Sequence, residues 1–162
     1  MSLDATPSGA NANSYVTVAQ ADTYFAGRLN ASAWTESGDQ EAALIHATRW
    51  LDHFDYRGER AVPRQPLKWP REFVYDEDGY ELPLATIPRE VRDATCEAAL
   101  ALLANPAAFE RTGLEGFSEA KVGPLEVKIR PAMLTTDLPD VVQNILGRWL
   151  LNSGISGRLW RA

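Results

Sequence analysis

The chain has 162 residues, of which 45% are apolar and 23% are charged, and its formal net charge at pH 7 is −6. This length suits one ordinary domain with a core of its own. The acidic balance argues against a general binder of duplex DNA, because such proteins are normally basic. The single cysteine, Cys96, excludes an intrachain disulfide, and we expect it to be a buried structural thiol.

The N-terminus is predicted to be a flexible lead-in over residues 1–14, because that stretch is rich in Ala, Asn, Ser and Gly. It lacks a charged region followed by an apolar one, so no signal peptide is predicted. No apolar run approaches the ~18 residues that cross a bilayer. We therefore expect a soluble protein that is made in a cytoplasm and does not contact a membrane.

Two helices are predicted in the first third of the chain, each after a capping box. Thr17 and Gln20 have the spacing of such a box, and apolar residues then recur at helical intervals as far as Leu29. Ser37 and Gln40 suggest a second box, which would begin a helix that runs to about Phe54. The second helix has the more regular apolar stripe, so we expect it to be the central core element.

A long irregular segment is predicted over residues 55–87, because four prolines there rule out a long helix: Pro63, Pro66, Pro70 and Pro83. Within it, Tyr75–Tyr80 resembles a tight turn in which Gly79 is free to take a positive φ. Long irregular segments inside compact domains are usually functional or bind a partner.

The remaining elements are two helices and a short hairpin. Pro88 begins a third helix that should end near Ala104, and Pro139 begins a fourth that should end near Leu151. Between them, residues 117–129 alternate in polarity around a Gly-Pro turn and predict two short strands. The fold class is therefore mainly α: a bundle of about four helices in one domain over residues 15–151, with a long Pro-rich loop, a short β-hairpin and a tail at 152–162.

The first part of the long loop is strongly basic and contains a tryptophan. Five basic residues face a single acid, Glu59, and Trp69 lies among them: Arg57, Arg60, Arg64, Lys68 and Arg71. Basic groups that follow a backbone, together with an aromatic ring for stacking, are what binding of single-stranded nucleic acid requires. The acids that follow, including Asp76, Glu77 and Asp78, also suit a protein interface between oppositely charged blocks. Trp69 could equally be a core anchor for the loop.

Catalytic and metal sites are not predicted. Asp76, Glu77 and Asp78 could hold a hard cation, but they lack the ligand spacing of a calcium loop, and a solvated acidic turn is the simpler interpretation. His46 and His53 are seven residues apart, which is about 10.5 Å along a helix and too far to share one ion. Because no catalytic motif is present, we expect no enzyme activity and no cofactor.

The C-terminal end is a second candidate for partner binding. After Asp140 the chain has no acids, and it ends with residue types that are enriched in binding hot spots: Arg148, Trp149, Arg158, Trp160 and Arg161. The tail could dock into a partner, or Trp160 could fold back on the body of the domain.

Several segments together resemble a known family. They are Asn13–Phe25, Ala42–Asp52 with Leu67–Arg71, and Ile87–Val91 followed by Ala94–Ala99 and Lys121–Val127. In order and spacing they resemble a phage protein family of head–tail adaptors, or head-completion proteins, which is often labelled DnaT-like single-stranded DNA-binding.

The resemblance implies a structural connector protein of a tailed bacteriophage. Its subunits would form a ring of twelve that binds the portal protein and a tail-side stopper, in a virion assembled in the host cytoplasm. Genomic DNA would pass through without specific binding, and an acidic channel would repel the phosphates and let the DNA slide. The alternative is a single-stranded DNA-binding protein of replication type that uses the basic loop over residues 57–71.

Overall fold

The computed structural model describes residues 2–105 and 138–151 of the chain. Its helices are α1 (Val18–Ala26), α2 (Ser32–Thr35), α3 (Gln40–Leu51), α4 (Arg89–Ala104) and α5 (Asp140–Leu146), and its strands are β1 (Glu59–Arg60) and β2 (Arg71–Glu72). The prediction of a mainly α protein is confirmed. The hairpin predicted at 117–129 and the tail at 152–162 lie outside the described residues. None of the described helices has the length and apolar character needed to cross a bilayer.

Helix α1 begins with the predicted capping box. The Gln20 amide donates to Thr17 Oγ1 at 3.2 Å, and the Thr17 amide donates to Gln20 Oε1 at 3.0 Å. The helix ends at Ala26 and not at Leu29, because the Gly27 amide turns back to the Tyr24 carbonyl at 3.2 Å. This tighter bond closes the last turn and releases the chain from the helix.

The second predicted capping box is wrong. Ser37 Oγ accepts from the amide of Asp39 at 3.0 Å and not from Gln40, so it closes a turn ahead of α3. The Gln40 side chain donates to the Trp34 carbonyl at 3.3 Å. Trp34 belongs to α2, a single helical turn that the sequence analysis did not predict. The Gln40 side chain therefore bonds to α2 and not to Ser37, its predicted partner.

The core forms where α4 packs between α3 and α5. Helix α3 is central, as predicted, although it ends at Leu51 and not at Phe54. Helix α4 follows Pro88 and ends at Ala104, as predicted, and its buried alanines allow close packing. Helix α5 ends at Leu146 and not at Leu151, because the residues after it pair with the loop.

The residues after α5 form backbone hydrogen bonds with the start of the long loop. Tyr56 and Leu150 form an antiparallel bridge. The Arg57 amide donates to the Trp149 carbonyl at 2.8 Å, and the Leu151 amide donates to the Asp55 carbonyl at 2.9 Å. Backbone groups that the sequence pattern assigned to a helix are therefore used to hold the loop against the helical body.

The N-terminal residues are also tied together. The Asp4 amide donates to Asn13 Oδ1 at 2.8 Å, and the Asn13 amide donates to the Asp4 carbonyl at 2.8 Å. Ser14 is buried, and its hydroxyl donates to the Val16 carbonyl at 2.8 Å. The stretch predicted as a flexible lead-in thus has hydrogen bonds of its own over residues 2–14.

Candidate functional site

The long loop consists of two consecutive hairpins. In the first, β1 pairs antiparallel with β2, so that Arg60 lies opposite Arg71. In the second, Tyr75 bridges to Glu81, and the Asp76 amide donates to the Tyr80 carbonyl at 2.9 Å. Neither hairpin was predicted from the sequence, because the strands of the first are only two residues long and the arms of the second join through a single bridge.

Arg71 holds the first hairpin from inside. Its guanidinium donates to the carbonyls of Arg57 at 2.7 Å, Lys68 at 3.1 Å and Tyr56 at 3.2 Å, and also to the carbonyl of Gly58. The side chain is buried, and burial lowers its pKa below the usual value for arginine. These bonds occupy four of the five N–H donors of the buried guanidinium, so Arg71 organises the loop and does not present its charge to a partner.

Gln65 and Gly58 complete the frame of this hairpin, and the sequence analysis singled out neither. The buried Gln65 amide donates to the carbonyls of Leu67 at 2.9 Å and Pro70 at 3.0 Å, while its Oε1 accepts from the Val62 amide at 3.0 Å. Gly58 has φ +73°, and a Cβ there would lie 2.1 Å from the Glu72 carbonyl oxygen. The paired strand leaves no room for any other residue type.

Trp69 is the core anchor of the loop, which was the alternative that the sequence left open. It is 1% exposed and lies between Tyr56, at a ring-centroid distance of 5.4 Å, and Trp149, at 5.1 Å. Trp149 is also buried, and its Nε1–H donates to the Tyr75 carbonyl at 3.2 Å. Neither ring presents a free face on which a base could stack.

A polar cluster joins the loop to the end of α3. The Tyr15 hydroxyl donates to Asp52, and the Lys68 amide donates to Asp52 Oδ2 at 3.2 Å. Burial raises the pKa of the Asp52 carboxyl, and burial followed by the neighbouring carboxylate raises the pKa of Tyr15. Lys68 Nζ donates to the Phe54 carbonyl at 2.6 Å and pairs with Asp55 at 3.2 Å. Lys68 therefore fixes the loop as well.

The other three basic residues of the loop remain on the surface. Arg57, Arg60 and Arg64 are all exposed. Within residues 2–105 and 138–151, their side chains make no hydrogen bond or ion pair with another residue. The five predicted basic residues therefore have two different environments. Lys68 and Arg71 stabilise the loop through internal hydrogen bonds, whereas the other three face solvent.

The second hairpin carries exposed aromatic rings that the sequence analysis did not single out. Phe73 is 57% exposed, Tyr75 is 50% exposed and Tyr80 is 72% exposed. Phe73 and Tyr75 flank the buried Val74, and this alternation could have indicated an outward-facing pair. The signal was missed because the acidic turn beside it dominated the interpretation of this stretch.

The acidic turn is built as predicted, with Gly79 at φ +86°. Asp76 Oδ1 accepts from the amides of Asp78 at 2.9 Å and Tyr80 at 2.8 Å, so this carboxylate stabilises the turn. Glu77 forms an ion pair with Arg148. The acid that the sequence offered to a neighbouring subunit thus has an intrachain partner.

Metal-ligating residues do not converge in the part of the chain that the structure describes, where no group of three His, Cys, Asp or Glu could hold an ion. His53 Nδ1 lies 2.7 Å from the Arg49 carbonyl oxygen. Cys96 is buried as predicted, and burial raises the pKa of its thiol to about 12. Arg158, Trp160 and Arg161 lie outside the described residues.

Comparison with known proteins gives one match. The model of a family described as "Putative DnaT-like ssDNA binding protein" matches residues 1–162. No curated protein and no solved structure matches the chain. The DnaT-like label predicted from the resemblance is confirmed, whereas a phage adaptor family is not. The head–tail connector function is wrong, because the matched description names binding of single-stranded DNA. The ring and its portal and tail partners stay predictions.

Proposed function

Because the chain belongs to this DnaT-like family along its whole length, we propose that it binds single-stranded DNA through Arg57, Arg60 and Arg64. One observation carries the proposal: these arginines are exposed, and their side chains make no hydrogen bond or ion pair within residues 2–105 and 138–151. Each can neutralise a phosphate and release its counterions, which is the main source of affinity for nucleic acid. A guanidinium also binds phosphate with two parallel hydrogen bonds.

The rigidity of the loop favours this function. Arg71, Gln65 and Trp69 hold the loop backbone from inside through hydrogen bonds and ring contacts. A binding segment that is ordered beforehand loses less conformational entropy when the ligand arrives. The buried Arg71 thus holds in place the loop that carries the three exposed arginines.

The charge pattern favours a single strand over a duplex. Glu59 and Glu72 face each other across the first hairpin, beside the arginines. A duplex has a persistence length of about 150 base pairs, so it cannot bend around these carboxylates over so short a distance. A flexible single strand can contact the arginines and avoid the acids. The net charge of −6 still opposes binding, so we expect micromolar affinity that depends strongly on salt.

The test is fluorescence anisotropy of a labelled single-stranded oligonucleotide at low and at moderate salt. We expect Arg57→Ala/Arg60→Ala/Arg64→Ala to abolish binding, and each single substitution to reduce the salt slope by about 0.7. The matched control compares the double variant Arg57→Ala/Arg60→Ala with Arg49→Ala/Arg89→Ala, which removes two exposed arginines from α3 and α4. Equal losses in the two double variants would mean that net charge, and not this loop, governs the affinity. Absence of wild-type binding at low salt would refute the proposal.

A further inference from the structure

The second hairpin exposes three aromatic side chains: Phe73 and Tyr75, here called the aromatic face, and Tyr80, which the register places opposite Asp76 on the other side of the hairpin. They are 57%, 50% and 72% exposed, and they are the large aromatic residues that lie on the surface in the described part of the chain. Single exposed apolar residues are ordinary, but three aromatic rings on one hairpin suggest a binding surface. The chain buries most of its other described aromatic rings, including Trp34, Trp69 and Trp149.

The hairpin holds these residues outward and in place. Val74 is 2% exposed and anchors the first arm in the core, whereas its neighbours are exposed: Tyr75 in the bridge, and Phe73 in a bend with φ +57°. The Phe73 amide donates to Glu81 Oε1 at 3.1 Å, and Tyr75 bridges to Glu81. Across the turn, the Tyr80 amide donates to Asp76 Oδ1 at 2.8 Å. The backbone of each exposed ring is therefore fixed.

The aromatic face lies beside the exposed arginines. A Cβ at Gly58, the residue after Arg57, would lie 2.7 Å from Val74 Cγ2. The Arg57 amide donates to the Trp149 carbonyl at 2.8 Å, while Trp149 Nε1–H donates to the Tyr75 carbonyl at 3.2 Å. Trp149 thus connects the two parts of the surface. The backbone segments that carry Arg57 and Tyr75 are therefore neighbours, and a single strand that contacts the arginines can also reach the exposed rings.

We propose that Phe73 and Tyr75 stack on the bases of a single strand whose phosphates contact Arg57 and its neighbours. This inference rests on the proposed function and moves the stacking role from the buried Trp69 to the aromatic face. Bases in a duplex are already stacked on one another, so only a single strand can use these rings. Stacking tolerates every base, because each has a π-face, so binding should show little sequence preference.

Glu81 provides a test in which a substitution is expected to strengthen DNA binding. Its carboxylate accepts from the Phe73 amide, and it lies opposite Tyr75 in the hairpin, beside the aromatic face. A passing phosphate would be repelled by this charge. Glu81→Gln removes the charge and keeps an oxygen to accept from Phe73, so we expect tighter binding of single-stranded DNA. Unchanged or weaker binding would place the strand elsewhere.

The main experiment compares oligo-dT with an abasic oligonucleotide of the same length, which has the phosphates but no bases. We expect Phe73→Ala/Tyr75→Ala to weaken binding of oligo-dT roughly ten-fold or more, with no change for the abasic strand and none in the salt slope. Substitution of the arginines should weaken binding of both oligonucleotides. Leu29→Ala, at an apolar residue after α1 that is 85% exposed, should weaken neither.

The outcomes separate this inference from the proposed function. If the wild type binds oligo-dT and Phe73→Ala/Tyr75→Ala binds it equally well, stacking is refuted and the arginine site stands. If Phe73→Ala/Tyr75→Ala keeps the wild-type far-UV circular dichroism and loses both oligonucleotides equally, the loss does not depend on bases and stacking is refuted. Phe73→Leu/Tyr75→Leu keeps apolar bulk without a π-face, so full affinity in this variant would overturn the stacking role. If the wild type binds neither oligonucleotide, both proposals fail.

Discussion

Substitution of Arg71 tests most directly whether a basic residue of the loop supports the fold or binds DNA. Replacing Arg71 with Met keeps most of the apolar stem and removes a guanidinium that donates to the carbonyls of Tyr56, Arg57, Gly58 and Lys68. A hydrogen bond to a charged group contributes roughly 1.5–3 kcal/mol. The bonds share one side chain, and water can reach some of the released carbonyls. We therefore expect a total loss of about 2–4 kcal/mol in the free energy of unfolding.

A loss of this size is easy to measure. Domains of this size have a free energy of unfolding of about 5–15 kcal/mol, so Arg71→Met should lower the melting temperature by roughly 5–15 °C. Urea denaturation followed by far-UV circular dichroism gives the free energy directly. Arg71→Lys should recover only part of the loss, because an ammonium group cannot reproduce the planar fork of donors. Arg57→Ala is the control, since an exposed substitution should stay within about 0.5 kcal/mol of the wild type.

One result would refute this reasoning about Arg71. If Arg71→Met were as stable as the wild type and lost DNA binding to the same extent as Arg57→Ala, Arg71 would be a phosphate contact and not the internal support of the hairpin. We expect the opposite result: Arg57→Ala should be as stable as the wild type but bind DNA weakly, whereas Arg71→Met should be less stable than the wild type. Measuring DNA binding and unfolding on the same samples distinguishes a phosphate contact from a structural support.

Three further predictions concern single residues. Gly58→Ala should lower the free energy of unfolding, as measured by urea denaturation. The positive φ of +73° alone costs about 1–3 kcal/mol for a residue other than glycine, and the new Cβ, 2.1 Å from the Glu72 carbonyl oxygen, adds a steric clash. Glu97 pairs with Arg28 through two 2.8 Å bonds. Burial alone would raise the pKa of Glu97, but the hydrogen bonds from Arg28 and Tyr24, together with the charge of Arg28, outweigh burial and hold this pKa below its ordinary value of 4.5. The ion pair therefore stabilises the fold above pH 4.5 and is lost as the pH falls through the lower folded pKa. Glu97→Gln should remove this part of the acid dependence in urea titrations at pH 3–7. The Cys96 thiol, with its pKa raised to about 12, should not react with Ellman's reagent at pH 8 until urea unfolds the chain.

Elements with local signals could be predicted from the amino-acid sequence. Thr17 and Gln20 are three residues apart, and they form the capping box that begins α1. Pro88 fixes the start of α4, and the apolar spacing of α3 was enough to identify the central helix. These predictions succeeded because propensity, capping and periodicity act within one or two turns of chain. The same signals were weaker at helix ends, and α5 ended early because its last residues pair with the loop.

Which residues of the loop are available to a partner depends on long-range packing and could not be predicted from the sequence. Arg57 and Arg71 are the same residue type in one basic stretch, yet one faces solvent and the other bonds to four carbonyls inside the hairpin. Trp69 looked suited to stacking, but Trp149 and Tyr56 enclose it, while Phe73 is left outside. Burial and hydrogen-bond partners arise from contacts between residues far apart in the chain. A side chain's chemistry is set by its type, but its availability is set by what packs around it.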